Sequence, residues 1–473
     1  MAPSRSARMQ ERHAGRLLVP CLLLAWCGTA VEGGEAKMLR IHVNPKAVAC
    51  RSFLGFGAEW DSRGYNQAGV TEEDFALVAR RVRWMRLPVA RIMMQVKWCY
   101  RPGGKYAWNS ADMKALYRHL DLCEAIGTTV FLTDWGCEPK WLNVPGMKNV
   151  ADPKYAEAIA TYMDHLVNRK GYTCIRYFIL VNEPNFEVRD FARWKKGLQN
   201  VATAFRKRRL DKKVTFAGSD HSNDERWHTQ AVDQVRDILG AYDVHRYARD
   251  ADVRAGKLEG YFRTQWQYAL AKDPKARNKP LIVGEAGLAD GMSTSKNANI
   301  LRPYYGLFMA DYAAQAAGSG AWAVSAWMLD DNSHPGFTWG LWTNKAGGMK
   351  LKPWFFVWSL LSRCVPPGSV VYRVPPPSGD VRVLAARAPA TGRSGAARWT
   401  FCLVNRAKAA TRVLLTAPLD APVTLRRYHY GPRGGKADKD GFPVPVASET
   451  LDPKRGLTLD CPARAVVFLT SVE

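Results

Sequence analysis

Ala111–Thr133 reads ADMKALYRHLDLCEAIGTTVFLT. Ala111 to Ile126 carries apolar side chains at helical spacing, and Gly127 stands where a left-handed C-cap ends a helix. Thr129–Thr133 is then a short apolar run suited to a strand buried on both faces. The same alternation continues in both directions. Strand-like runs fall at Leu54–Ala58, Trp84–Leu87, Thr129–Thr133, Ile175–Val181, Val214–Gly218, Ala241–Val244, Leu281–Val283 and Ala321–Ala326. Helical stretches fall at Glu72–Val82, Ala111–Ile126, Tyr155–Asn168, Phe191–Arg208, Asp224–Leu239, Leu258–Lys272, Pro303–Ala317 and Pro353–Ser362. Thr71 with Asp74 forms a capping-box pattern at the first of these, with Asp in place of the usual Glu or Gln.

Eight strand–helix units predict an α/β fold, a (β/α)₈ TIM barrel. A doubly wound open sheet is the competitor, but it usually has about five or six strands and a Gly-rich first turn. No such glycine motif follows the first run here. From Cys364 onward the pattern changes to short β-rich segments between Pro, Gly and Ser clusters: Val370–Val374, Val381–Ala385, Trp399–Val404, Arg412–Thr416, Val423–Tyr428 and Ala465–Leu469. These predict a C-terminal β-sandwich. Leu39–Val48 also reads as β and is expected to add a strand to it. The expected organisation is residues 1–30 as a signal peptide, 31–52 as an N-terminal segment, 53–363 as the barrel and 364–473 as the sandwich.

The composition of the 473 residues, 47% hydrophobic and 23% charged, excludes collagen-like, coiled-coil and disordered chains. Arg5, Arg8, Arg12 and Arg16 precede the apolar run Leu17–Trp26, and Gly28, Thr29 and Ala30 follow it. That is the pattern of a secretory signal cut after Ala30, and the run is too short to span a bilayer. A lipoprotein attachment at Cys27 fits poorly, because Trp26 stands where a small residue belongs. The expected location is therefore secreted or periplasmic, with no membrane partner once the signal is removed. Losing four Arg and Glu11 lowers the net charge from +25 to +22. The basic residues are scattered, without a cluster interleaved with aromatics, so nucleic acid is not the expected partner. No C-x-x-C pair occurs, so a zinc site has no support, and no metal or cofactor is expected. Cys123 sits in a helical pattern and reads as a buried thiol; Cys99 and Cys137 follow successive strands, a placement compatible with pairing.

In a barrel of this kind, chemistry belongs to residues at the C-terminal ends of strands. The fourth strand ends Val181-Asn182-Glu183-Pro184-Asn185 and the seventh ends Val283-Gly284-Glu285-Ala286-Gly287. Asn-Glu-Pro is a short motif, and a strand-end Glu is often only an ion-pair partner. Here the two Glu stand across one barrel mouth. Two carboxylates flanking a glycosidic bond, one as acid and one as nucleophile, suffice for retaining hydrolysis at a separation of about 5 to 5.5 Å.

With these motifs the chain resembles clan A of the glycoside hydrolases, the retaining (β/α)₈ enzymes, in the style of families 5, 39 and 30. Gly284-Glu285-Ala286-Gly287 resembles family 5 and Asn182-Glu183-Pro184-Asn185 resembles family 39. The resemblance implies Glu183 as acid/base and Glu285 as nucleophile. It implies Arg86, in Met85-Arg86-Leu87-Pro88, as the arginine beside the nucleophile, and His245 and Tyr247 as a substrate-binding pair. It implies Trp327 as the floor of the sugar site, with Trp135, Pro139 and Trp141 resembling a W-x-x-P-x-W stretch after the third strand. Asn182 is placed to bond the sugar 2-hydroxyl. An arginine beside Glu285 is expected to hold its pKa down, and partial burial beside Glu285 to raise that of Glu183.

Other polar groups near strand ends, Glu59, Asp134, Glu138, Asp220, Asp330 and Asp331, are expected to support the pair or bind hydroxyls, with Glu138 foremost. Trp60, Trp98, Trp339 and Trp342 fall in mouth loops, where aromatic faces suit sugar rings. The expected partner is therefore a carbohydrate, first a neutral β-glycan or β-glycoside. An acidic glycan, suggested by the charge, is the alternative substrate, and a non-catalytic carbohydrate-binding protein on the same fold is the alternative class.

Overall fold

The computed structural model describes residues 38–135, 146–390 and 397–473. The expected signal segment, Glu138, Trp141 and Cys137 lie outside them. The chain enters through two strands, β1 (Leu39–His42) and β2 (Val48–Phe53). Eight parallel strands then close a barrel: β3 (Gly55–Glu59), β4 (Val89–Met94), β5 (Thr129–Asp134), β6 (Ile175–Ile179), β7 (Thr215–Ser222), β8 (Leu239–Ala248), β9 (Leu281–Leu288) and β10 (Ala323–Ala326). Closure is made by β10 on β3, with Ala323 opposite Gly55 and Ala326 opposite Ala58.

The helices are α1 (Glu72–Met85), α2 (Ala111–Ile126), α3 (Pro153–Asp164), α4 (Phe191–Lys207), α5 (Glu225–Val235), α6 (Lys257–Lys272), α7 (Pro303–Ser319) and α8 (Phe355–Cys364). Local chemistry sets their ends. The Thr71–Asp74 capping box opens α1, with Thr71 N–H donating to Asp74 and Asp74 N–H to Thr71. Gly127 closes α2 in the left-handed conformation, at φ 74°. Val89, Phe131, Ile179, Ala217, Ala241, Ile282 and Ala323 point inward, one from each of seven barrel strands, and with Leu54 they fill the barrel base. The interior is thus a packed core, and the mouth above it carries the polar groups.

One expected strand is misplaced. Trp84 and Met85 are the last residues of α1, Arg86 is its left-handed C-cap at φ 50°, and the second barrel strand begins at Val89. The apolar run at the end of the helix ran straight into the strand pattern, and Pro88 marks the break between them.

The C-terminal strands are β11 (Ser369–Tyr372), β12 (Val381–Ala388), β13 (Arg398–Asn405), β14 (Thr411–Thr416), β15 (Val423–Gly431), β16 (Ala447–Leu451), β17 (Leu457–Cys461) and β18 (Ala465–Thr470). The larger sheet runs β15–β18–β13–β12–β11–β2, with β16 beside β15; the smaller runs β1–β14–β17. Both N-terminal strands therefore pair with C-terminal ones. Alternation along β13 explains how this layer joins the barrel. Phe401 and Leu403 enter the core between the two sheets, while Cys402 and Val404 pack with the barrel-side core. Cys123 is buried and unbridged. Among the described residues no helix is long and apolar enough to cross a membrane.

Candidate active site

The site is built on the C-terminal ends of the barrel strands. Beyond β6 the chain passes through Val181 at φ 72° and Glu183 at φ 44°, both left-handed without glycine's freedom. Such conformations cost about 1–3 kcal/mol each and persist where surrounding contacts enforce them. Those contacts are present. The Asn182 N–H donates to the Asp134 carbonyl at 2.9 Å, and the Glu183 N–H to Asp220 Oδ2 at 3.1 Å. The turn Pro184–Glu187 follows at once, so Glu183 is held between a strand end and a helical turn.

Arg91, in the middle of β4 and fully buried, organises the floor. Its Nη1 donates to Glu285 Oε1 at 2.8 Å, and its Nη2 to Asn182 Oδ1 at 2.8 Å and Asp220 Oδ2 at 2.9 Å. His245, at 0% exposure on β8, bonds Glu183 Oε1 through Nδ1 and Asp220 Oδ1 through Nε2, both at 3.0 Å. The same Nδ1 lies 3.6 Å from Glu285 Oε1. The Tyr247 hydroxyl donates to Glu285 Oε2 at 2.6 Å. A carboxylate oxygen of Glu183 and one of Glu285 lie within 4.8 Å of one another, with His245 between them. Gly284 permits this packing: a Cβ there would stand 2.5 Å from Asp243 Oδ1 and 2.9 Å from His245 Nε2.

The electrostatics follow from burial and from two internal cations. Burial pushes the Glu285 carboxyl up to about 7, and His245 and Arg91 limit the rise. The arginine does not hold it below the usual range, because burial of the Glu285 side chain, 4% exposed, outweighs the two cations and the neighbouring Glu183 charge adds to the rise. Burial also works on Asp220, yet Arg91 and His245 outweigh it and hold that carboxyl low. In return Asp220 and Glu285 overcome the burial of His245 and lift its pKa well above the usual range. Burial and the neighbouring Asp220 charge push Asp243 well above the usual carboxylate range. Glu183 is the more exposed of the pair, at 19%. Glu183, His245 and Glu285, and separately Asp220, Asp243 and His245, bring their ligand atoms close enough to hold a cation. Of these carboxylates, Glu183, Glu285 and Asp220 already bond Arg91 or the His245 ring.

A cavity of about 560 Å³ opens over the pair. Trp327, Trp135 and Tyr247 line it, together with Gln95, Phe186, Asn223, Met292, His334, Phe337 and Trp339. The His334 ring stacks on Trp327 at 5.0 Å and meets the Trp135 ring edge-on at 5.2 Å. Loops from β9 and β10 meet at the rim, where the Thr338 N–H donates to the Ser295 carbonyl at 2.8 Å.

The structure thus brings together Glu183, Glu285, Asn182, His245, Tyr247, Trp327 and Trp135. Arg86 is a correction. It is exposed at the opposite end of the second barrel strand, and Arg91 occupies the place beside Glu285. A charge central to the apolar run Val89–Met94 was the available signal, since a strand interior tolerates arginine only against buried carboxylates. Trp60, Trp98 and Trp342 are buried in the core instead of facing sugar, whereas Trp339 lines the cavity. Of the other acidic groups, Asp220 joins the site. Asp134 accepts from Tyr155, Asp330 from Tyr65 and Asp331 from Lys352, all structural pairings, and Glu59 bonds His334. Gln95, His334 and Phe186 lie in connections that carry no periodic signal.

Residues 56–344 match the family described as cellulase (glycosyl hydrolase family 5). No curated protein matches the chain in sequence. Among solved structures it is similar to the catalytic domain of GH30 xylanase C from Talaromyces cellulolyticus, at TM-score 0.64 and 14% identity over 91% of this chain and 99% of that one. It is also similar to a GH39 β-xylosidase from Caulobacter crescentus, at TM-score 0.62 and 16% identity over 92% and 99%. A GH30 endoxylanase from Clostridium papyrosolvens gives TM-score 0.62 and 12% identity over 92% and 100%.

Proposed function

Because the chain belongs to the cellulase family, glycosyl hydrolase family 5, and is a retaining glycoside hydrolase of clan A, we propose that it cleaves a neutral β-glycan or β-glycoside with Glu183 as acid/base and Glu285 as nucleophile. The observation that carries the reading is the shared bridge. Two carboxylates with oxygens within 4.8 Å meet one buried imidazole ring, and they differ in their supports. Glu285 is tied by Arg91 and Tyr247, which suits a fixed anion. Glu183 is more open to the cavity, as a proton donor to substrate must be.

In the first step a Glu285 oxygen attacks the anomeric carbon while Glu183 gives its proton to the departing glycosidic oxygen, whose bond to that carbon breaks. Glu285 is then an ester and carries no charge beside Glu183. Glu183 takes a proton from water, the water oxygen bonds the anomeric carbon, and the Glu285 carboxylate is released. Asn182, held by Arg91, is in place for the 2-hydroxyl. The cavity lining favours a neutral substrate: among the described residues Arg63 is its one lining arginine, against Glu183, Glu187 and Glu285, and Trp135, Phe186, Tyr247, Trp327, Phe337 and Trp339 supply aromatic faces. The basic charge of the chain therefore does not argue for an acidic glycan at this site. Export is part of the proposal, from the Arg-rich start and the apolar run Leu17–Trp26.

The test is a reducing-sugar screen over neutral and uronic-acid β-glycans with Glu285→Gln as control. Hydrolysis of a neutral polymer that disappears in the variant supports the reading. Sugar binding without hydrolysis by the wild type supports the non-catalytic alternative.

A further inference from the structure

We propose that Phe186 is the platform of a leaving-group subsite, which takes the sugar ring on the departing side of the scissile bond with its C–H face on the aromatic ring. The inference rests on the catalytic reading above and names what that reading leaves open, namely what holds the departing half of the substrate.

Phe186 is 51% exposed and lines the cavity that holds Glu183 and Glu285. It is among the few large apolar side chains left open in the described residues, and Met292, at 46%, lines the same cavity. Isolated apolar groups on a surface need no explanation, but an open aromatic ring at the rim of a sugar cleft supplies the face that a pyranose stacks on.

Its place in the turn fixes the side of the cleft it serves. The Phe186 N–H donates to the Glu183 carbonyl at 2.8 Å, so ring and acid share one turn of backbone. Glu183 must reach the glycosidic oxygen, and the group beyond that oxygen therefore lies over the end of β6 and the turn that follows. The retained sugar lies over Glu285, bounded by Trp327, Trp135 and His334 from β10 and β5.

The platform is stiff as well as open. Asn185 Nδ2 donates to the Ser222 carbonyl at 2.9 Å, and the Ser222 N–H returns a bond to Asn185 Oδ1 at 3.1 Å. This reciprocal pair fastens the turn to the end of β7. Ser222 and Asn223 line the same side of the cavity and supply hydroxyl partners, and Asn223 is itself held by Arg246 at 3.1 Å. A rigid ring with polar groups at its edge is preorganised for a sugar, so the protein loses little freedom when one docks there.

The test compares substrates that share the retained half and differ in the departing one. Cellotriose presents glucose to the subsite and β-cellobiosyl fluoride presents a single fluoride; the xylo-configured pair repeats the comparison. Phe186→Ala is expected to lower kcat/KM for the trisaccharide about tenfold and to change that for the fluoride by less than about twofold. Phe186→Tyr is expected to restore the trisaccharide rate. Equal losses on both substrates, or no loss on the trisaccharide, overturn the proposal. Failure of the underlying catalytic reading registers separately, since Glu285→Gln must be silent on the fluoride and the trisaccharide alike.

Discussion

Replacing Arg91 by methionine removes the buried cation that faces Glu285 and tests both the register of the second strand and the electrostatics of the site. Arg91 Nη1 is 2.8 Å from Glu285 Oε1. Two unit charges about 4 Å apart interact by about 4 kcal/mol at an effective dielectric near 20. Asp220 does not dilute this attraction, because Coulomb energies add pair by pair, so about 4 kcal/mol acts on Glu285. At about 1.4 kcal/mol per unit, its loss raises the Glu285 pKa by about 3. The acid limb of kcat/KM, which reports ionisation in the free enzyme, is expected to move from about 7 to roughly 10. The plateau falls as well, because Asn182 loses its donor. The assay is the pH dependence of kcat/KM on an aryl β-glycoside, with folding checked at each pH because Asp220 is left with one cation. Arg86→Met, at an exposed helix cap, is expected to leave limb and plateau unchanged. A limb that stays near 7 in Arg91→Met, or one that moves in Arg86→Met, counts against Arg91 as the cation that faces Glu285.

Tyr247→Phe deletes a 2.6 Å bond to Glu285, and a hydrogen bond to a charged group contributes about 1.5–3 kcal/mol. A loss of about 10- to 100-fold in kcat/KM is expected on the same glycoside, and an unchanged rate counts against Glu285 as the nucleophile. Stability should fall as pH rises. Burial lifts Glu59 to about 8 and Asp61, Asp134, Asp330 and Glu285 to about 7, so the folded chain holds protons that the unfolded chain has released above about 4. Their stabilising contribution is full at low pH and is lost up to about pH 8, and His245, raised in the fold, acts in the same direction. Melting temperature is expected to drop between about pH 5 and about pH 8, less steeply in Glu59→Gln; a rise over that range contradicts the assignment. Gly284→Ala drives a methyl into Asp243 and His245 and is expected to cost about 1–3 kcal/mol in denaturant titration together with most of the activity, whereas a fully active variant shows that the floor can shift.

The barrel was legible because each unit carries its own punctuation. The helix Ala111–Ile126 was bounded by Gly127, and the first helix was opened by Thr71 and Asp74, so local chemistry alone located them. The second strand was not legible, because α1 ends in apolar residues that continue the strand pattern, and the shift carried the arginine assignment with it. In the C-terminal layer, β13 announced itself by burial on both faces. Ala447–Leu451 and Leu457–Cys461 alternate exposed and buried residues and passed unread. Glu183 and Glu285 could be placed because the fold fixes where strand ends meet, and His245 and Tyr247 because their stretch resembles the substrate-binding pair of the family. Phe186 and His334 sit in connections whose course depends on contacts distant in sequence, such as Asn185 with Ser222 and His334 with Glu59.

The most direct test of the central claim is to trap the covalent intermediate. A 2-deoxy-2-fluoro-β-glycosyl fluoride of the accepted sugar forms the ester quickly and loses it slowly, and digestion followed by mass spectrometry locates the added sugar. One glycosyl group per chain is expected, on the peptide that contains Glu285, with none in Glu285→Gln. A label on another carboxylate, or an unlabelled enzyme that releases product of inverted anomeric configuration, contradicts it.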